Sequence, residues 1–417
     1  MKIVCVGGGP AGLYFAISAK LRNPNHDITV IERNPAGVTY GWGVTFSNPL
    51  LDSLYRNDPV SARRILEKPA SWDNQEVYVG DTNRAHLGGY GFAIGRKHLL
   101  DILVERAVGL GVDIQFQREV EDLSEFADAD VIVACDGANS RVRRLHNQHF
   151  RTDAVVGRNK YLWLGTHKIF ESFMFAFEET PAGWIWFYSY PYNDDTTTFI
   201  VECSPETWMG LGFDTLSPDE SLKKLEQIFA HHLDGHALMN SMRDLGKIPW
   251  LNFIRITNAS WHHGKIVLMG DAAHTTHFSI GSGTTLAMQD AVGLADSLEA
   301  HENLEEALAH YEQTRRAEIL ALQTAAVAST EWFENVPSSI DQPITQFAYS
   351  LWKRRGRHPR WRYHLHLATQ FSSMRRLRQA LSALRNERRA QHRMKLADIS
   401  SPAYSHPDLP TGSVRVQ

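Results

Sequence analysis

Gly7-x-Gly9-x-x-Gly12 follows directly on the apolar run Ile3-Val4-Cys5-Val6, and few arrangements narrow the choice of fold so sharply. A continuous apolar run of that length reads as a parallel strand covered on both faces. A helix is expected over 13–21, ended by Asn23, Pro24 and Asn25. A second strand over 28–31 then closes on Glu32, twenty residues past the last glycine. Strand, glycine turn, helix, strand and acid in that order form the dinucleotide-binding fingerprint. The first glycine permits the tight turn, the second lets backbone amides approach a pyrophosphate, and the third lets helix and strand pack closely. The helix N-terminus favours the phosphate charge, and Glu32 suits an adenosine ribose. The expected contacts are Gly7, Gly9, Pro10, Ala11, Gly12, Glu32 and Arg33. The fingerprint alone does not choose between FAD and NAD.

At 417 residues the chain exceeds one average domain, so two or three packed modules are expected. Apolar residues at 43% and charged residues at 22% fit a folded chain and exclude a disordered one. No stretch approaches the roughly 18 apolar residues of a membrane span, and the first residues read as a buried strand rather than a signal peptide. Cys5, Cys135 and Cys203 are too few and scattered for a disulfide framework or a zinc site. No metal is expected, and the cytoplasm is the expected compartment. A net charge of −4 predicts no general affinity for nucleic acid, and no membrane partner is expected.

Two further motifs follow apolar runs. Cys135-Asp136-Gly137-Ala138-Asn139-Ser140-Arg141-Val142-Arg143 comes after one, and Gly270-Asp271-Ala272-Ala273-His274 after another. Together with the glycine fingerprint they resemble the ordered trio of the single-component FAD-dependent aromatic hydroxylases, the para-hydroxybenzoate hydroxylase type, over residues 1 to about 330. The resemblance implies an α/β fold: a Rossmann-like FAD-binding domain interleaved with an antiparallel-sheet substrate domain, followed by C-terminal helices. The expected division is 1–75, 90–155 and 260–330 for FAD, and 76–89 and 156–259 for substrate. A helical region over 331–398 and a disordered tail over 399–417 would complete the chain. The resemblance further implies Asp271 on the FAD ribityl chain, Asp136 with Ser140 and Arg143 near flavin or nicotinamide, and Arg96 near the FAD phosphates. The implied reaction uses NADH or NADPH and O₂, passing through a flavin C4a-hydroperoxide that an electron-rich ring attacks.

A narrower resemblance rests on the run His277-Phe278-Ser279-Ile280-Gly281-Ser282-Gly283-Thr284, on Gly41-Trp42-Gly43-Val44 and on Gly157-Arg158-Asn159-Lys160-Tyr161. These look like the branch containing salicylyl-CoA 5-hydroxylase, 2-aminobenzoyl-CoA monooxygenase and the tryptophan hydroxylase of violacein synthesis. Phe278 stands at the family's usual proline and Thr285 at its usual asparagine, which weighs against a simple phenol as substrate. The branch implies a CoA-linked aromatic substrate, with salicylyl-CoA first; tryptophan or a carrier-protein-bound aryl acid is the alternative. A non-hydroxylating flavin reductase is a further reading, since fold does not fix function. Trp42 and Gly43 join the expected cofactor contacts, as do Gly281, Ser282, Gly283 and Thr284, whose amides open a helix and suit an anionic flavin edge. His277 is the expected catalytic residue, bonding a phenol or aniline group or taking its proton; holding its own loop is the alternative. His274 is expected to be structural.

Between about 155 and 260 aromatic and β-branched residues alternate with polar ones, as in an antiparallel sheet. Alternation puts Trp184, Trp186 and Tyr188 on one face, and Trp186, Tyr188 and Phe278 are the expected substrate contacts. Between Lys353 and Lys395 stand fourteen Lys or Arg and one acid, Glu387. That segment carries +13, so the remainder of a chain of net −4 carries −17. It reads as a solvated basic face, as an anion site for the phosphates of a CoA thioester, or as a nucleic-acid or membrane surface, which does not suit a flavin hydroxylase. Nothing in the sequence sets the oligomeric state.

Overall fold

The structure is a computed structural model and describes residues 1–67, 69–241, 250–281, 283–354 and 361–399. Ser282 lies outside the described residues, as does the expected tail apart from Ile399, which ends a helix.

The first layer is a six-stranded sheet ordered His262–His263, Ile266–Leu268, Val131–Ala134, Lys2–Val6, Asp27–Ile31, Asp113–Gln115. All its pairings are parallel except that of His262–His263. Lys2–Val6 sits at its centre, in register with Asp27–Ile31 and Val131–Ala134. This explains its unbroken apolar run, since both faces are covered. Helix Pro10–Arg22 packs on helix Gly283–Ala300 and on helix Arg96–Gly109. Buried on nearly every side from Pro10 to Lys20, it needs no amphipathic stripe.

The second layer is an eight-stranded sheet. Leu238–Met239, Thr152–Thr166, Thr197–Cys203, Gly183–Pro191, Phe173–Thr180, Gln75–Val79 and Asn83–His86 run in that order, and Leu251–Asn258 also pairs with Thr152–Thr166. It is antiparallel except where Gln75–Val79 lies parallel to Phe173–Thr180. No linker marks the chain's passage near residue 155: that point falls inside the 15-residue strand Thr152–Thr166. One face of this sheet carries Ile185, Phe187, Phe199 and Val201, packed against Leu225, Phe229 and Leu233. The other presents Trp186, Tyr188, Phe175 and Ile200, and Trp184 packs with them against Phe333, Phe347 and Leu351. The alternation expected at 184–188 is therefore present, and its tryptophan face looks toward Phe278 and the C-terminal helices.

Those helices are Leu304–Glu334, Ile344–Lys353, Trp361–Ala368 and Ser372–Ile399. They close the sheet edge through Gln370. Its amide oxygen accepts from His86 N at 2.9 Å and its Nε2 donates to His86 O at 2.8 Å, as a neighbouring strand would. Among the described residues no helix is long and apolar enough to cross a membrane.

Candidate active site

The glycine turn is dictated by sterics at two positions and open at the third. Gly7 has φ +120°, and a Cβ there would stand 2.4 Å from Cys135 O; one on Gly12 would stand 2.2 Å from Gly7 O. A Cβ on Gly9 would meet nothing within 4 Å. Gly9 lines a cavity of about 690 Å³ that also takes in Glu32, Arg33, Arg96 and Asp136. Helix Pro10–Arg22 starts there with Pro10 in its first turn, no side-chain cap and no acid in that turn. Its first amides are left for an anion. Glu32 holds the turn itself, Oε2 accepting from Gly8 N at 2.8 Å and Oε1 from Asn34 N at 2.8 Å.

The other two motifs meet beside this cavity. Asp136 Oδ2 accepts from Arg141 N at 2.7 Å, whereas its Oδ1 is buried with no hydrogen-bond partner among the described residues. Ser140 caps the helix Arg141–Leu145. Arg143 donates to Ala138 O and to Ala272 O, tying the Asp-Gly loop to the Gly-Asp loop. Ser140 and Arg143 thus hold the frame. Asp271 is exposed yet ringed by protein, so enclosure raises its pKa while His274 and Arg96 pull it down. Burial lowers the pKa of Arg96, opposed by the charges of Asp271 and Glu32, and its Nε donates to Thr39 Oγ1 at 3.1 Å. His274 is structural: its Nε2 is 2.7 Å from Asp290, which also takes Arg315 Nε at 2.8 Å.

After the Gly-Asp motif the chain turns under the tryptophan face. His277 is buried, with Phe278 and Phe333 stacked beside it and Phe253 edge-on. Its Nδ1 lies 2.7 Å from Ser279 Oγ and accepts from Ser279 N at 3.3 Å. An accepting Nδ1 places the proton of the neutral ring on Nε2. Burial, aided by Arg354, pushes the His277 pKa down to about 3. His277 is therefore a neutral donor whose one basic nitrogen is already engaged, which fits the hydrogen-bonding half of its expected role better than the proton-taking half. It lines a second cavity of about 10 Å³ with Asn159, Tyr161, Glu202, Phe278 and Glu334.

The remaining expected residues take different places. The Trp42 ring packs where a Cβ on Gly165 would stand 2.6 Å away, and Gly43 is wedged against Tyr192 and Thr198. Both join the turn to the second sheet and are absent from the walls of the large cavity. Gly281, at φ +69°, accepts from Thr45 Oγ1 through its carbonyl. Gly283 and Thr284 open the helix Gly283–Ala300 as expected. Phe278 reaches the small cavity, whereas Trp186 and Tyr188 stand behind its wall. Trp186 Nε1 donates to Tyr188 OH at 3.0 Å and to Glu202 Oε2 at 3.4 Å, and Tyr188 OH donates to the same carboxylate oxygen. Sequence reasoning overlooked Glu202. The available signal was an acid at the inward register of Thr197–Cys203, a strand buried throughout.

The family model described as an FAD binding domain matches residues 1–326. A salicyloyl-CoA 5-hydroxylase from a Streptomyces species is 42% identical over 363 residues, covering 84% of this chain and 69% of that protein. The 3-hydroxy-4-methyl-anthranilyl-[aryl-carrier protein] 5-monooxygenase of Streptosporangium sibiricum is 34% identical over 85% of this chain and 95% of its own. Among solved structures, the tetrameric form of 2-methyl-3-hydroxypyridine-5-carboxylic acid oxygenase matches with a TM-score of 0.67 at 21% identity, covering 85% of this chain and 95% of that one, which speaks for the fold. The chain belongs to this FAD-binding family and is an FAD-dependent aromatic monooxygenase of the para-hydroxybenzoate hydroxylase type.

Proposed function

We propose that the protein hydroxylates an aryl-CoA thioester, with 5-hydroxylation of salicyloyl-CoA the first candidate. The observation that carries this reading is a groove of about 740 Å³ along the C-terminal helices. Arg362, Arg378, Arg385 and Arg389 line it, with Trp352 and Trp361 among its walls. Guanidinium groups flanking apolar and aromatic surface suit a phosphorylated adenine nucleotide. The basic segment is not one solvated face. Arg354 is buried and bonds Ser279 O at 3.0 Å, and Arg393 is buried against Asp52 at 2.6 Å. The identity with a salicyloyl-CoA 5-hydroxylase supports the same substrate class.

The residues of the large cavity fit FAD. The uncapped helix start, the open side of Gly9 and the unpartnered Asp136 Oδ1 are donors, space and acceptor for its pyrophosphate and sugar hydroxyls. Gly7, Pro10, Ala11 and Gly12 would shape that turn, Glu32 and Arg33 would meet the adenosine end and Arg96 the phosphates. Asp271, Gly281 and the helix start at Gly283 and Thr284 would meet the ribityl and ring end. FAD, reduced by NADH or NADPH, supplies O₂ activation and transfer of one oxygen atom to the ring. The protein's part is to hold the ring hydroxyl or amino group near His277 Nε2–H and to exclude water with the Phe278, Phe253 and Phe333 cluster. The small cavity is far below the volume of a benzene ring, so substrate entry displaces Phe278, the half-buried ring at its wall. We place the reaction in the cytoplasm, consistent with three buried free cysteines and a nicotinamide reductant.

The test compares NADH oxidation and product mass with free salicylate, salicyloyl-CoA and carrier-protein-linked salicylate. Product from the CoA ester well above the others is expected, and equal turnover of free salicylate refutes the reading. A carrier-linked acid is the second reading, favoured by the relative from Streptosporangium sibiricum, and preference for that substrate would establish it.

A further inference from the structure

Glu202 is a buried acid that the cofactor motifs do not use. It sits on the inner face of the strand Thr197–Cys203, 1% exposed, at the wall of the small cavity it shares with His277. Its donors come from neighbouring strands: Asn159 Nδ2 to Oε1 at 2.7 Å, and Tyr188 OH with Trp186 Nε1 to Oε2. A carboxylate offers about four lone-pair sites, and three are taken. Asn159 Oδ1, buried at the same wall, has no hydrogen-bond partner among the described residues. A positioned acceptor and an unpartnered carbonyl at one cavity, beside the rings of Phe253 and Phe278, are what a hydroxyl- or amino-bearing ring requires.

We propose that Glu202 is the proton acceptor of the hydroxylation site, taking the proton of the substrate's ring hydroxyl or amino group as the ring attacks the activated oxygen. The substrate O–H or N–H bond breaks, its electron pair stays on the ring substituent and raises electron density para to it, and a Glu202 carboxyl O–H forms. Glu334, half-buried at the same cavity with Oε1 accepting from Arg158 N at 2.6 Å, then receives the proton and returns it to solvent. His277 cannot substitute, because Ser279 N already engages its Nδ1. This assignment rests on reading the His277 cavity as the place of the substrate ring.

The groups facing Glu202 from neighbouring elements are Tyr161, Tyr188, His277, Glu334 and Arg354. Burial raises the Glu202 pKa, the Asn159 and Trp186 bonds lower it, Glu334 raises it and Arg354 lowers it, leaving it at about 8. Most of the carboxyl is therefore protonated at neutral pH, and the ionised fraction that can take the substrate's proton grows as pH rises through about 8.

The experiment uses the FAD-loaded full chain, Glu202→Gln and Glu202→Asp, with flavin content as the sign of an intact fold. Without substrate, infrared difference spectra should show a carboxylic-acid C=O band that disappears as pH rises through about 8 and is missing in Glu202→Gln. With salicyloyl-CoA and NADH, or whichever of the three linked forms the wild type accepts, hydroxylated product per NADH should fall on the order of 100-fold in Glu202→Gln. Peroxide should take its place, the alkaline-rising limb of the pH profile should vanish, and Glu202→Asp should restore part of the yield. A Glu202-dependent band that persists throughout the working pH range overturns the proposal, because a carboxyl that never ionises cannot take the proton, as does an unchanged yield and pH profile in Glu202→Gln. Failure of the CoA ester alone falls on the substrate reading, since the substrate-free titration still reports on Glu202.

Discussion

Replacing Gly9 by alanine separates folding from cofactor binding at a single methyl group. Gly9 has φ −76° and ψ −179°, an extended conformation that alanine adopts freely, and its Cβ would meet nothing within 4 Å. The apoprotein should therefore lose nothing. It should gain about 0.4–1 kcal/mol, because alanine restricts the unfolded chain. The new methyl would stand in the cavity where phosphate oxygens approach the first amides of helix Pro10–Arg22, so FAD affinity should fall at least about tenfold, roughly 1.4 kcal/mol. Gly7→Ala and Gly12→Ala behave oppositely. Their Cβ atoms would overlap backbone at 2.4 and 2.2 Å, and overpacking of that kind costs about 1–3 kcal/mol or more before any ligand is added. Thermal melts of the three apoproteins, paired with FAD titrations by flavin fluorescence, read both terms. ADP competition localises the loss to the pyrophosphate, because adenosine should bind Gly9→Ala as it binds the wild type. An unchanged FAD affinity in Gly9→Ala would refute the assignment of this turn to the cofactor phosphates.

Two buried groups should oppose each other in the pH dependence of stability. Unfolded His277 takes a proton near 6.5 while the folded ring resists until about 3, so stability should fall as pH drops below 6.5, by at most about 1.4 kcal/mol per unit. Glu202 runs the other way: the unfolded side chain releases its proton near 4.5 and the folded one near 8, so stability should fall as pH rises between them. Urea midpoints at pH 5 and 7.5 should lose the acid slope in His277→Asn and the alkaline slope in Glu202→Gln; curves parallel to wild type contradict both. Arg385→Ala and Arg389→Ala should each raise KM for a CoA ester by about tenfold, roughly 1.4 kcal/mol, more at low ionic strength, and leave KM for a free acid unchanged. Asp290→Asn strips the buried Arg315 and His274 of their common partner, a loss of about 3–5 kcal/mol, visible as a lower melting temperature.

Where backbone sterics demand a residue type, the sequence was readable. Gly7 and Gly12 have no substitute because Cys135 O and Gly7 O occupy the space a side chain would need, so spacing alone located the turn. The central strand was equally plain, being covered on both faces. Side-chain roles across the second sheet were not readable in the same way. Trp186 and Tyr188 looked like pocket walls, yet an indole N–H and a phenol O–H must find acceptors when buried, and Glu202, sixteen and fourteen residues onward, supplies one. That acceptor depends on strand register, which pairs Trp186 with Glu202 and which no local pattern specifies. His277 was located by its motif, but its protonation follows first from burial and then from Arg354, which arrives from a distant helix, with Ser279 N fixing the tautomer. The basic segment misled as a total because charge sums do not distinguish Arg354 and Arg393, buried pins, from the arginines of the groove.

Buried Arg354 links these observations mechanically. Its guanidinium bonds Leu351 O and Ser279 O and lies over the rings of Phe175 and Phe333. Helix Ile344–Lys353 is thereby joined to the loop that carries His277. Trp352, one residue before the basic run, lines the groove and packs in the same apolar cluster as Phe278. The loop's other ties run to the first layer, through His274 to Asp290, and to the second, where Thr275 Oγ1 accepts from Ile256 N at 2.8 Å. A displacement of Phe278 by an entering ring should therefore disturb the cluster that holds Trp352, and a ligand seated in the groove should bear on the same cluster. On the proposed function, an acyl group linked to a phosphorylated carrier would engage both ends, whereas a free acid would engage one. On this geometry discrimination between the two should come from Phe278 displacement as well as from the arginines.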